Sequence, residues 1–298
     1  MLLSEVLKLS GGSRLARDAS FSNLGKTAHQ KEAMLSFVES AQYLQGALLN
    51  KNVTSLIVAR GMVDSVPESY GVIETDSPRE LFYDIHQFLF ENTEFYAPKE
   101  GTVVSDNAVL HPSAIIDPLS VKIEKGVIIE AGVIIHSGTT ISEGAIIRSG
   151  SIIGSEGFEF YRSNGKVRPV PHSGGVFLGP GVEVQSATVI EKSVYGANTV
   201  VGEDSKLGAK VLLAHNCRVG KRCLLAGGVV VSGNVVIGDG VWIGPGAVVS
   251  SGLRIEDFAK VTLGTTVISS VKSGSEVTGV FGSEKHRMMK FMAKSGLI

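Results

Sequence analysis

Two cysteines among 298 residues cannot build a disulfide framework. No run approaches the ~18 apolar residues that a spanning helix needs, so no transmembrane segment is expected. The opening stretch, MLLSEVLKLSGG, carries Glu5 within its apolar residues and lacks a basic region, so it does not read as a secretory signal. A cytoplasmic location is the expectation. Charge of either sign is absent in excess: 28 Lys and Arg face 29 Asp and Glu, net −1. That excludes the basic field by which nucleic acid is held through its phosphates. Proline is scarce at 9 and aromatics make up 6%, while glycine is abundant at 36. With 43% hydrophobic and 19% charged residues the chain is globular. High glycine with few aromatics points to many tight turns between short apolar strands.

The order in that composition is a period of six. From Val201, every sixth residue is aliphatic: Leu207, Leu213, Val219, Leu225, Val231, Ile237, Ile243, Val249, Ile255 and Val261. Earlier series run Ile123, Ile129, Ile135, Ile141, Ile147, Ile153, and Leu178, Val184, Ile190. Neither a helix nor an ordinary strand has this period. It predicts a hexapeptide solenoid, three hexads per coil, with coils stacked ~4.8 Å apart. The series breaks between Ile153 and Leu178, where SEGFEFYRSNGKVRPVPHSGG must leave the solenoid as an excursion loop, residues 155–177. Loops of this length in compact domains are usually functional or disordered. One residue is missing from the step between Ile190 and Val201.

Residues 1–105 lack the repeat. LSEVLKLS, AQYLQGALL and PRELFYDIHQFLFE read as helices, and SLIVA and GVIE as buried strands, giving a small α/β domain. The solenoid is assigned to 106–270 and a basic helical tail to 271–298, where Lys285, Arg287, Lys290 and Lys294 interleave with Met288, Met289, Phe291 and Met292.

Stacking predicts neighbours. An 18-residue coil puts His215 one coil below Gly233 and one above Ala197, and puts Asn216 in a column with Asn198 and Asn234. Asparagine suits the left-handed turns of such corners. His215, two residues after the inward Leu213, sits at a turn where packing needs no imidazole. Cys217 and Cys223 are six apart and fall on different faces, so neither a disulfide nor zinc follows. His111, His136, His172 and His215 are too far apart in sequence for the close histidine pair of a solenoid zinc site. No metal and no cofactor is expected.

LLAHNCRVG, AGGVVVSGN downstream, GFEFY and PHSGG upstream, LHPSAIIDP at the solenoid entry and LSFVESAQYL near the N-terminus together resemble the UDP-3-O-(3-hydroxyacyl)glucosamine N-acyltransferases of lipid A biosynthesis. The resemblance covers nearly the whole chain. It implies a mostly β fold, a left-handed parallel β-helix behind a uridine-binding α/β domain and before a short C-terminal helix. It implies transfer of a 3-hydroxyacyl chain from acyl carrier protein to the 2-amine of a UDP-3-O-acyl-glucosamine, with His215 as general base and the Gly233 amide as oxyanion donor. It assigns Phe37 and Tyr43 to a uracil sandwich, Asn216 to the turn beside the base, and His172 to the sugar or diphosphate. It also implies a homotrimer with sites between subunits, in keeping with cyclic symmetry.

The chain departs from that pattern. Gly208 and Ala209 stand where Asp-Asn is common, Gly252 where a second histidine is found, Ser40 replaces an asparagine of the uridine segment, and Glu159 replaces a glycine in the GFEF loop. The base and oxyanion donor are retained while supporting groups are lost, which opens the identity of acceptor and acyl chain. Two alternatives follow: an N-acyltransferase using acetyl-CoA or another short acyl donor on a different nucleotide-amino-sugar, and a non-catalytic solenoid that binds a ligand or scaffolds a partner.

Overall fold

A computed structural model describes residues 1–9, 12–27, 29, 31–96, 100–163, 165–279 and 285–295. The N-terminal unit is a five-stranded sheet ordered β1-β5-β4-β3-β2. Its strands are β1 (Arg14–Arg17), β2 (Asn23–Leu24), β3 (Met34–Val38), β4 (Val53–Ala59) and β5 (Gly71–Thr75). All pairs are parallel except β1 with β5. Strand β4, VTSLIVA, is buried over most of its length, as a parallel strand covered on both faces must be. The covering helices are α1 (Leu3–Val6), α2 (Ala41–Leu49) and α3 (Pro78–Asn92). Pro78 opens α3, where a missing N–H costs nothing. Leu81, Phe82, Ile85 and Leu89 then bury one stripe of it at the 3–4 residue spacing of a helix face.

Two-residue strands begin at Val103–Val104 and continue to Glu276–Val277. They form three parallel sheets of nine, eight and eight strands, the faces of a left-handed β-helix. Each strand presents one residue inward and one outward. All the six-residue series land inside: Ile123 through Ile153, Leu178 to Ile190, and Val201 through Val261 are at most 2% exposed. A second inward series, Val127, Val133, Ala145, Val182, Val211, Val229, Val235 and Ala247, fills the axis with smaller side chains. Turns need a left-handed backbone, which Gly126, Gly132, Gly144 and Gly150 supply early and Asn216 and Asn234 supply beside His215.

Regular coils step by 18, as Leu213 to Val231 shows. The first coil steps by 19, as Ile116 to Ile135 shows, and two later coils are much longer. Ile141 pairs with Leu178 and Ile153 with Ile190, so a single coil carries the whole excursion. Ile190 pairs with Leu213 and Leu178 with Val201, steps of 23, so the span from Ile190 to Val201 is one hexad with added residues and not two hexads with one missing, and the additions swell a corner. The excursion is built rather than irregular: Phe160–Ser163 and Lys166–Pro169 pair as an antiparallel hairpin. Its Tyr161 and Val170 share a core with Phe82, Tyr83, Val194 and Tyr195, so excursion, swollen corner and N-terminal domain pack as one body. The tail is helical over α4 (Lys285–Lys294), with Met289 and Phe291 exposed. Residues 97–99, and 280–284 and 296–298 of the expected tail, lie outside the described residues. Among the described residues no helix is long and apolar enough to cross a membrane.

Candidate active site

His215 follows Leu213 at the corner between two faces of the prism, and its residue is only 6% exposed. Gly233 lies directly above it: a Cβ added there would fall 2.5 Å from His215 Cε1, so no side chain fits without moving the ring. The Asn234 N–H donates to the His215 carbonyl at 3.0 Å, locking the two coils in register. At equivalent turns, the Lys221 and Asp239 N–H groups are capped by Oδ1 of Asp239 and Asp257 in the coil above. The Gly233 N–H has no such cap among the described residues; the Ser251 hydroxyl above it donates to the Gly233 carbonyl instead. A buried glycine amide beside an imidazole is thus left free to donate.

Beneath His215 the simple stack over Ala197 is not what the backbone meets. The swollen corner displaces that position, and the Glu191 carboxylate rises to accept the His215 N–H at 3.0 Å. Burial raises the Glu191 pKa. Gly157 of the excursion packs against both groups; a Cβ there would sit 2.1 Å from Glu191 Oε2.

Glu159 crosses the mouth of the site. Its Oε1 accepts from Lys26 Nζ at 2.8 Å and from the Tyr83 hydroxyl at 3.2 Å, and its Oε2 lies 3.5 Å from His215 Nε2. Burial opposes its charge, but Lys26 and the contacts to Tyr83 and His215 outweigh it, so the Glu159 pKa is lowered. Burial also pushes the His215 pKa down to about 4, against the pull of Glu159, so the ring is neutral at pH 7. Its Nδ1 is buried with no hydrogen-bond partner among the described residues.

Asn216 donates from Nδ2 to Asn234 Oδ1 at 2.9 Å, so one rung of the amide column forms. Its carbonyl turns to the Ser193 hydroxyl and the Val194 N–H of the swollen corner rather than continuing to Asn198. His29 Nε2 meets the same Asn234 Oδ1 at 3.2 Å, bringing the N-terminal domain onto the column. His172 is 2% exposed, with its ring edge-on to His215, centroids 5.7 Å apart. Its Nδ1 donates to the Val170 carbonyl, so its Nε2 accepts the Gly157 N–H. Both nitrogens are engaged in holding the excursion. Phe37 lies on β3 against Phe82, ring centroids 5.0 Å apart, with the Arg79 guanidinium 5.9 Å from its centre. Tyr43 stands on α2, 59% exposed, and makes no ring contact with Phe37 among the described residues. Cys217 is fully buried and burial pushes its thiol up to about 12, so it is no nucleophile. No group of three or more His, Cys, Asp or Glu is placed to hold a metal ion among the described residues.

Sequence reasoning pointed to His215, Gly233 and Asn216, whose juxtaposition follows from the coil repeat. Lys26, His29, Tyr83 and Glu191 carried no usable signal: the first three lie outside any period, and the last is exposed only by the register break. Glu159 had one, a lone charge between two phenylalanines in a non-repeating insert.

Residues 198–233, which include His215 and Gly233, match the bacterial transferase hexapeptide family (six repeats). The match covers the two coils that hold the site. No curated protein sequence matches the chain. Among solved structures, the UDP-N-acetylglucosamine acyltransferase of Campylobacter jejuni superposes with a TM-score of 0.50 at 18% identity, over 64% of this chain and 80% of that one. The UDP-N-acetylglucosamine O-acyltransferase of Moraxella catarrhalis gives 0.40 at 23% identity, over 64% and 76%. A GDP-perosamine N-acetyl transferase variant of Caulobacter crescentus gives 0.26 at 16%, over 82% and 76%. At 18% identity the likeness to the Campylobacter jejuni enzyme is one of fold.

The buried histidines set a pH dependence. His29, His86 and His215 are each lowered by burial to about 4. His86 is held neutral at the junction, with Nε2 donating to the Pro171 carbonyl of the excursion and Nδ1 accepting from the Tyr96 hydroxyl. A folded pKa below the unfolded 6.5 means that the unfolded chain binds more protons between the two values. Their stabilising contribution is therefore complete above about pH 6.5 and declines as pH falls towards 4. The thermal midpoint should drop across that window, and His86→Gln, which keeps a donor for Pro171 but does not titrate, should flatten the drop. Differential scanning calorimetry from pH 7 to 4 measures both.

Proposed function

We propose that the protein is an acyltransferase that moves an acyl group from a thioester to the amine of a nucleotide-amino-sugar, and that in lipid A biosynthesis the acyl group is 3-hydroxyacyl and the acceptor a UDP-3-O-acyl-glucosamine. The observation that carries this reading is the neutral His215 imidazole lying against the uncapped amide of Gly233. Such a pair supplies what acyl transfer to an amine requires. The amine lone pair attacks the thioester carbonyl, forming the C–N bond, and His215 takes the proton. The Gly233 N–H stabilises the oxyanion. Collapse breaks the C–S bond, and the imidazolium returns its proton to the thiolate. No covalent acyl-enzyme is needed, consistent with the inert cysteines.

The acceptor reading draws on the N-terminal domain. Phe37 and Tyr43 are the uracil-binding pair of the proposal, Asn216 lies beside the base, and His172 acts by holding the excursion over the site. Lys31, its pKa lowered by burial to about 8, has no carboxylate partner among the described residues and is suited to a diphosphate. The donor proposed is acyl carrier protein, docked on the basic face of α4, with acyl-CoA as the second reading.

The proposed assembly is a homotrimer. One face of the prism is aliphatic outside as well as inside: the outward residues Ile115, Ile134, Ile152, Val189, Leu212 and Val230 form a ladder up it, with Ile115 64% exposed. His215 lies at the corner where this face ends, which supports a site shared with a neighbouring copy.

Three measurements test these readings. Turnover is assayed with 3-hydroxyacyl carrier protein and with acetyl-CoA against UDP-amino-sugars. His215→Ala should lower kcat by ~10²–10⁴-fold while preserving the circular dichroism spectrum; more than a tenth of wild-type kcat would remove His215 from the base role, and no turnover with any donor would favour a ligand-binding solenoid. Phe37→Ala and Tyr43→Ala should each weaken UDP binding by roughly 1–3 kcal/mol in calorimetry, the worth of one aromatic stack. Light scattering should return the mass of three chains, and a monomer at working concentration would defeat the shared site.

A further inference from the structure

Lys31 is a half-buried cation without a counter-charge. It lies on the loop between β2 and β3, which Asn50 ties down by donating from Nδ2 to the Thr27 and His29 carbonyls at 2.8 and 2.7 Å. Its ammonium packs against the swollen corner: a Cβ added at Gly196 would fall 3.7 Å from Lys31 Nζ. Among the described residues no carboxylate meets it, and burial alone lowers its pKa to about 8. The nearby carboxylates are engaged elsewhere. Glu159 turns to Lys26, Tyr83 and His215, Glu191 to the His215 N–H, and Glu156 to Lys192. The groups that feel the Lys31 charge are His29 and His86, which burial already lowers and which the ammonium pushes down further. Desolvating a charge is costly unless an opposite charge meets it.

The corner that Lys31 touches has the opposite deficit. At regular corners the residue in the left-handed conformation donates its N–H to the coil below, as Gly228 does to the Ala209 carbonyl, Asn234 to His215 and Gly246 to Gly227. Gly196 holds that conformation at the swollen corner, with φ +64°. Among the described residues its N–H donates to nothing, and those of Tyr195 and Ala197 on either side also lack an acceptor. The segment is nevertheless held at both ends. Asn216 Oδ1 accepts from Ser193 and Val194 before it, and the Ala197 carbonyl accepts the Gly175 N–H at 2.9 Å after it. Gly196 itself is exposed, and a side chain there would meet the Tyr96 ring at 3.0 Å. Successive open N–H groups around a left-handed residue make an anion cradle.

We infer that Lys31 and the backbone amides of Tyr195, Gly196 and Ala197 form a phosphate-binding site at the edge of the candidate active site. The ammonium supplies charge from the N-terminal domain, and the amides supply directed donors from the solenoid. A phosphate group answers both, with negative charge and several acceptor oxygens. The cradle follows Val194, which is bonded to the side chain of Asn216, the neighbour of His215. An anion there anchors a substrate beside the base and leaves His215 and Gly233 uncovered. Both substrates of the proposed reaction carry such a group: the nucleotide sugar in its diphosphate, and the acyl donor in its phosphopantetheine arm. Because Lys31 comes from the N-terminal domain, the diphosphate is the occupant favoured. That choice rests on the acyl-transfer reading; the anion site does not.

The test titrates pyrophosphate, UDP, uridine and coenzyme A by calorimetry into the wild type and into Lys31→Met, which keeps the length of the side chain and removes its charge. The wild type should bind pyrophosphate and UDP, and Lys31→Met should bind each at least ~10-fold more weakly, the worth of one charge-assisted hydrogen bond. Uridine, which has no phosphate, should not distinguish the two proteins. Pyrophosphate should raise the thermal midpoint of the wild type and leave that of Lys31→Met where it was. In ¹⁵N spectra of the wild type it should shift the Gly196 and Ala197 amides, a readout that needs no variant to fold. A wild type that binds no phosphate probe, equal affinities in the two proteins, or binding that leaves those amides unmoved would overturn the site. Loss of coenzyme A binding in Lys31→Met with UDP binding kept would retain the site and give it to the acyl donor. Pyrophosphate bound through Lys31 in a protein that turns over no acyl donor counts against acyl transfer, not against the anion site.

Discussion

Backbone pairing between coils is the constraint on which everything else here depends. A two-residue strand has too few hydrogen bonds to persist alone; it is held because the coils above and below pair with it in register. That requirement makes the inward positions aliphatic, each buried side chain contributing ~1.5–3 kcal/mol, and makes corner after corner from Gly126 onward adopt a left-handed turn. A coil may gain residues only if it expels them at a corner and returns in register. The two large expulsions, between Ile153 and Leu178 and between Ile190 and Val201, both end beside His215.

The two irregularities turn a uniform stack into a site. A regular corner around His215 would carry an exposed ring. Here the swollen corner supplies Glu191 below and, through Val194 and Tyr195, a seat for the N-terminal domain. The excursion supplies Gly157, Glu159 and His172 on the open side. His86, fully buried, ties α3 to the excursion through Pro171, so the N-terminal domain, the hairpin and the corner hold one another. The imidazole is desolvated by elements from three parts of the sequence, which is why its pKa is depressed and why acid should loosen the junction before it touches the coils.

What was legible in the sequence follows from range. A period of six is local and redundant, so Val201 through Val261 report their own burial, and the stacking of His215 on Gly233 needs only that period continued by 18. Asn216 above its corner was legible for the same reason, although the column it belongs to breaks after one rung because Ser193 and Val194 claim its carbonyl. The arithmetic failed below His215, where the extra residues place Glu191 under the backbone in place of Ala197. Lys26, His29 and Tyr83 reach the site across 76 to 205 residues through domain packing, and nothing local in their sequence marks that end point. The insert read as a loop because FEFYRS and GKVRPV alternate too briefly to declare strands; it is their mutual pairing, over four residues each, that makes the hairpin.

The charge arithmetic of the site also explains how a carboxylate is accommodated at position 159. A carboxylate placed against a buried imidazole without a cation would be costly to bury, and a lysine placed there without a carboxylate would drive the imidazole further from protonation. Lys26 and Glu159 arrive together, one from the N-terminal domain and one from the insert, and each makes the other affordable at 2.8 Å. Tyr83 completes the set by donating to the same oxygen, which leaves Oε2 turned to His215. The three therefore act as a unit: loss of the lysine frees the carboxylate to take up a proton or rotate, and loss of the carboxylate leaves an unpaired ammonium facing the base. The electrostatic state of His215 is in this way set jointly by the insert and the N-terminal domain, and the coil that carries the histidine supplies only its position.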